Sequence, residues 1–150
     1  MSLATCTNIQ ENNHNYAAFP TANHLNAKIE GFEIQTIKEG SGEWLSIAMD
    51  PQGRLLVSPR KGALLRFTIP ADSTGNLQID TLQVGIRDCQ GLLYAYRHLY
   101  MMGQNEDTIR GIYRVLDTDG KGNYGTPILM KEIPKNGDHS GHTLALGKDG

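Results

Sequence analysis

One short stretch, Asn136-Gly137-Asp138-His139-Ser140-Gly141-His142, gathers the side chains best suited to proton transfer. An imidazole titrates near neutral pH, so His139 has the chemistry to take a proton from a substrate hydroxyl and release it again. The alternative is a histidine in a polar, Gly-rich turn whose ring caps a backbone group. Asp138 is a poor orienting partner for it, because sequence neighbours on an extended chain point apart. His139 and His142 could share a metal only if the turn curls, and no third ligand is evident, so no metal ligand is assigned.

Asp117-Thr118-Asp119-Gly120-Lys121-Gly122-Asn123 begins like a calcium loop. Lys121 stands at the fifth position, where an oxygen ligand belongs, and Ile128 where the bidentate Glu should be. A hairpin turn rich in Asp and Gly accounts for it without metal. Tyr94, Tyr96 and Tyr100 could line a sugar-binding surface; alternation along a strand would instead bury every second one in packing, and Trp44 reads as a packing residue too. The two cysteines, Cys6 and Cys89, are too few for a disulfide scaffold or a paired-cysteine metal site. Cys89 adjoins an apolar run and is expected to be a buried free thiol.

The elements that must position these groups are short strands. The chain has 150 residues, 14 Lys+Arg against 16 Asp+Glu, and a net charge of −2. That balance excludes nucleic-acid binding through bulk positive charge and a polybasic membrane surface. No apolar run approaches the roughly 20 residues of a membrane span. With 17 Gly and 6 Pro, many tight turns are expected. Residues 1–29 form a polar, Asn-rich leader with no strand or helix period, expected to be loosely ordered. Phe32–Ile37 alternates as a half-buried strand. Trp44–Met49, Leu55–Ser58, Leu64–Ile69 and Leu77–Val84 follow at hairpin spacing, the first two joined by the turn Asp50-Pro51-Gln52-Gly53. Leu92–Tyr96, Leu99–Met102, Gly111–Leu116 and Pro127–Ile133 make a second set of four, the first pair split at Arg97-His98. No sustained helical stripe occurs, so the fold class is all-β.

His142–Gly150 then restates Leu45–Gly53, and Gly53 and Gly150 stand 97 residues apart. Two periods of roughly 48 residues fit the blades of a β-propeller. A blade is a twisted four-stranded sheet that cannot bury both faces alone, and a propeller closes with about four to eight of them. Residues 30–150 are therefore expected to be two blades and the start of a third, continuing beyond residue 150. The segment MSLATCTNIQ lacks the basic and apolar regions of a signal peptide.

The string Trp44-Leu45-Ser46-Ile47-Ala48-Met49-Asp50-Pro51-Gln52-Gly53-Arg54-Leu55-Leu56-Val57 resembles the opening blade of the glucose/sorbosone dehydrogenase family. Gly91-Leu92-Leu93 is similar to that family's second blade. Gly111–Gly122 and Asp138–His142 resemble a subgroup, the large "membrane-bound dehydrogenase" proteins of Planctomycetes-like bacteria. The resemblance implies a six-bladed, quinoprotein-type propeller that oxidises a sugar or aldehyde with pyrroloquinoline quinone (PQQ) and calcium. It implies His139 as the general base. Gln90, one place after the position where the family has its glutamine, becomes the expected quinone contact. His142 brings a polar ring into the pocket where a glycine is usual. A haem domain or protein as electron acceptor, and a periplasmic or secreted location, are implied likewise. The alternatives are a non-catalytic glycan- or protein-binding propeller and a calcium-dependent hydrolase or lactonase propeller.

Overall fold

The structure is a computed structural model, and it describes residues 3–8, 31–38, 43–71, 75–134 and 141–149. Among the described residues there are ten strands and no helix, in accord with the all-β expectation. The chain divides into two compact units, Met1–Gly42 with Ile69–Leu77, and Glu43–Thr68 with Gln78–Gly150.

In the first unit β1 (Leu3–Asn8) pairs antiparallel with β2 (Phe32–Lys38), with Cys6 opposite Ile34. The sequence predicted β2 but placed residues 3–8 in an unstructured leader. Here the ladder decides: Thr5 and Thr7 are good strand residues once a partner edge is available, whatever their local polarity. The rest of that leader lies outside the described residues.

The second unit holds two four-stranded antiparallel sheets, each in plain sequential order. The first consists of β3 (Trp44–Met49), β4 (Leu55–Pro59), β5 (Leu64–Thr68) and β6 (Gln78–Leu82). The second consists of β7 (Arg87–Ala95), β8 (His98–Gln104), β9 (Arg110–Leu116) and β10 (Ile128–Glu132). All eight follow the predicted sets, with two differences. β7 starts at Arg87, five residues before the apolar run, because a bulge between Arg87 and Gly91 lets the polar stretch Arg87–Gln90 join the ladder. The turn after it is Tyr96-Arg97, so His98 belongs to β8. Both turn residues are left-handed, φ 50° and 61°, which matches the right-handed twist of a two-residue hairpin.

Turn chemistry explains the other corners. The Asp50 carboxylate accepts the backbone N–H groups of Gln52 and Arg54 at 2.9 and 3.0 Å, Pro51 presets the bend, and Gly53 takes φ 75°. At the β8–β9 corner the Asn105 side-chain oxygen accepts the Ile109 N–H at 2.9 Å.

Residues directly opposite one another share a face of a sheet. On the first sheet Ala48, Leu56 and Arg66 form one such row, ending at Asp80. Leu56 and Leu64 on that face pack with Leu92, Leu99, Met101, Tyr113 and Val115 of the second sheet, and with Val84, Ile86 and Cys89. This is the core between the sheets. Trp44 packs edge-on against Phe67 at 6.1 Å, the packing role expected of it. The Ser46 hydroxyl accepts the Leu92 N–H at 3.0 Å, fastening β3 to β7.

The same step is taken once more. The backbone of His142 passes so close to β7 that a Cβ on Gly91 would collide with its carbonyl oxygen, and a Cβ on Gly141 would meet the Met102 thioether. Within His142–Gly150, expected to restate Leu45–Gly53, residues 142–147 form no ladder among the described residues, while a turn falls at 148–149, the positions equivalent in sequence to Pro51-Gln52. Replacing Gly91 with Ala should therefore lower stability by about 1–3 kcal/mol through overpacking against a rigid backbone. Gly125→Ala, where a Cβ meets only ordinary contacts at 3.7 Å, should change it by under about 0.5 kcal/mol. Denaturant unfolding monitored by circular dichroism checks both.

Candidate functional site

A polar seam crosses one end of the two sheets. Asp50, whose side chain has no exposure, receives the Arg54 Nε at 2.7 Å in addition to two backbone N–H groups. The far side of the same guanidinium donates to the Lys121 carbonyl on the second sheet and to the Gln52 side chain at 3.0 Å. Gln52 donates to the Gly120 carbonyl at 2.7 Å, and Arg66 to the Gly122 carbonyl at 3.1 Å. Three consecutive carbonyls of the β9–β10 loop are thus taken by side chains of the first sheet.

That loop is shaped by its own acids. Asp117, buried, accepts the Gly122 N–H at 2.9 Å and the Tyr94 hydroxyl at 3.0 Å. Asp119 accepts the Lys121 N–H and the Asn123 amide, which hold its carboxyl below the usual carboxylate range. Both carboxylates of the calcium-like stretch are engaged in turn formation. Tyr124 is inserted beside the seam, and its hydroxyl is buried without a partner. Burial, then the charges of Asp50 and Asp117, push its titration far above the ordinary phenol value. Tyr94 is raised too, first by burial and then by its bond to Asp117. Of the three tyrosines weighed as a sugar surface, Tyr94 serves the seam, Tyr96 is exposed at its turn, and Tyr100 stacks on His98 with centroids 6.1 Å apart.

At the other end of the sheets β7 begins and β8 turns into β9. Gln90 lies there on β7, and its Oε1 is buried without a donor. The adjoining Gly91 touches the backbone of His142, so two of the sequence-predicted site positions, distant in sequence, become neighbours. His142 itself is exposed. His139 lies outside the described residues. An orphaned buried acceptor fits a ligand N–H or hydroxyl, which a pyrrole-bearing quinone or a polyol offers. Calcium finds no donor set among the described residues, since no three His, Cys, Asp or Glu gather there within metal-holding range.

Cys89, next to Gln90, is a free and fully buried thiol, as expected. Its Sγ donates to the Gly91 carbonyl at 3.1 Å. Burial pushes its pKa up to about 12, outweighing the hydrogen bonds that lower it. It holds the bulge together and is no nucleophile. A shallow groove of about 590 Å³ runs past Gln83–Gly85, Asn105–Asp107 and Tyr124–Pro127. A smaller one of about 190 Å³ adjoins Arg110, whose Nη2 pairs with Asp88 and whose Nη1 is buried without a partner.

No family model, curated protein or solved structure matches this chain. Sequence reasoning missed the seam. Its two halves, the Asp50–Gly53 turn and the Asp117–Asn123 turn, were both legible as turns, but nothing local says that they meet.

Removing the Arg54 guanidinium leaves a buried carboxylate without its cation, so Arg54→Met should cost about 3–5 kcal/mol in equilibrium unfolding. For Cys89 the linkage has a definite sign. Below the ordinary thiol value of 9.0 both states keep the proton; as pH climbs from there toward about 12 only the unfolded thiol loses it, so stability falls with rising pH. In a Cys6→Ser background, iodoacetamide at pH 8 should leave the native thiol unmodified and label it on unfolding.

Proposed function

We propose that the two sheets are consecutive blades of a glucose/sorbosone dehydrogenase-like propeller that oxidises a sugar or aldehyde. The observation supporting the architectural part is that β3 meets β7 through Ser46 and Leu92, and that residues 141–142 in turn lie against Gly91 and Met102 of the second sheet. Stacked wedges related by one repeated step are how blades surround an axis. The orphaned acceptor of Gln90, next in sequence to Gly91, supports a polar ligand at that end.

On this reading, Gln90 and His142 contact the cofactor, and His139 is the base. PQQ, were it bound, would supply a two-electron hydride acceptor. His139 would take the proton of the substrate's hydroxyl as the carbon bearing that hydroxyl loses hydride to the acceptor, leaving a carbonyl product, a lactone in the case of an aldose. The imidazolium then returns its proton to solvent. The working pH range follows, since a base near neutrality is competent only when unprotonated. A haem domain or protein serves as the electron outlet, in a periplasmic or secreted setting.

The test is reconstitution of the full-length protein with PQQ and calcium, followed by dye reduction with a panel of aldoses and aldehydes. Turnover is expected, and His139→Ala should lower kcat by about 10²–10⁴-fold while the circular dichroism stays unchanged. Unchanged turnover in that variant removes His139 from the reaction. Aldose binding without dye reduction identifies a non-catalytic glycan-binding propeller instead, and lactone hydrolysis without an electron acceptor identifies a hydrolase.

A further inference from the structure

The end of the second sheet away from the seam carries charges that the described residues leave unsatisfied. Arg110 opens β9, Asp107 stands in the corner just before it, and Glu132 closes β10 opposite Gly111. The Ile133 N–H donates to the Arg110 carbonyl at 2.9 Å, which holds the end of β10 beside the start of β9. All three charged side chains border the smaller cavity, of about 190 Å³, and Thr108 borders it with them.

Arg110 is balanced by Asp88 through Nη2, but its Nη1 is buried with no acceptor among the described residues. Asp107 and Glu132 are exposed, and neither meets a cation among the described residues. Both lie near enough to Tyr113 for their charges to add to burial in raising its phenol. One small space is therefore bordered by a donor lacking an acceptor and by two carboxylates lacking a cation.

That pattern selects among ligands. A simple anion answers Nη1 and is repelled by the carboxylates. A simple amine answers the carboxylates and leaves the buried donor stranded. A sugar is neutral and leaves both carboxylates uncompensated. An α-amino acid answers all of them, since it presents a carboxylate to the guanidinium and an ammonium to the acids. Its size agrees as well: with about 30 Å³ as a water's share of the liquid, the cavity holds about six such volumes, matching the non-hydrogen atoms of alanine.

We propose that this cavity binds a small zwitterionic α-amino acid, its carboxylate on the Arg110 guanidinium and its ammonium between Asp107 and Glu132. Nη1 is shielded in the free protein, so the carboxylate reaches it as the exposed Asn105–Ile109 turn gives way. That turn closes through Thr108 N–H to the Asn105 carbonyl and Asn105 N–H to the Ile109 carbonyl, both 3.1 Å. It holds Thr108 at φ 67°, a strained conformation for a β-branched residue, and a small movement there relieves the strain. The site is built within one sheet and does not rest on the dehydrogenase reading.

Equilibrium dialysis of the full-length protein against radiolabelled glycine and L-alanine at millimolar concentration tests it. Both should bind saturably, and propionate and ethylamine, each carrying half of the charge pattern, should compete about tenfold more weakly than alanine. Glu132→Gln alters an exposed side chain that bonds to nothing among the described residues; it should weaken alanine several-fold and leave propionate no weaker. Arg110→Gln should weaken alanine about tenfold, and Arg110→Lys should recover part of the affinity. Because Arg110 also holds Asp88, its variants count only where circular dichroism matches the wild type, and Glu132→Gln carries the test otherwise. No saturable binding of either amino acid overturns the site. Propionate competing as well as alanine makes it an anion site, and glucose competing as well makes it a polyol site; either result overturns the zwitterion. Binding that the folded variants leave unaltered places the amino acid elsewhere and overturns the assignment to this cavity. Dye reduction is a separate readout, and its failure leaves this inference standing.

Discussion

The unexposed carboxylate of Asp50 is the constraint around which the two sheets are organised. A buried charge of this kind costs several kcal/mol unless each oxygen is satisfied, and here every donor comes from the turn that Asp50 opens. Two backbone N–H groups and the Arg54 Nε quench the charge within the first sheet. The rest of the guanidinium is then committed to the β9–β10 loop of the second. Together with the bonds from Gln52 to Gly120 and Arg66 to Gly122, this ties the turn to the loop beside the apolar core.

That joint also divides the molecule chemically. At its end of the sheets, Gln52, Arg54 and Arg66 donate to the loop carbonyls, N–H groups and the Tyr94 hydroxyl donate to the carboxylates, and the Tyr124 hydroxyl is buried without a partner. At the opposite end a bulged, polar strand start carries Asp88, Cys89 and Gln90, with the Gln90 oxygen left open. Burial raises the Cys89 thiol out of the reactive range, so the open polar group of that strand start is the glutamine.

Much of this was readable residue by residue. Trp44–Met49, Leu55–Ser58 and Gly111–Leu116 alternate or run apolar between Gly, Pro and Asp turns, and each became a strand within a residue or two of its expected bounds. The Asp50-Pro51-Gln52-Gly53 turn and the buried state of Cys89 were legible for the same local reasons. Leu3–Asn8 and Arg87–Gln90 were not, because each is polar and joins a ladder only when a partner edge or a bulge supplies the hydrogen bonds. The candidate site was half legible: Gln90 and His142 belong to one neighbourhood through Gly91, a proximity that depends on close backbone approach and leaves no signature in spacing.

The sequence by itself determined which segments are strands, where they turn, and that one set of four follows another, since hydrophobic alternation and turn residues act over two to six positions. Only the tertiary structure decided which turn meets which loop, which face of the second sheet stays open, and which polar end is saturated. Those outcomes turn on burial and on hydrogen bonds between residues some 70 positions apart, such as Gln52 with Gly120, whose energies no local pattern encodes.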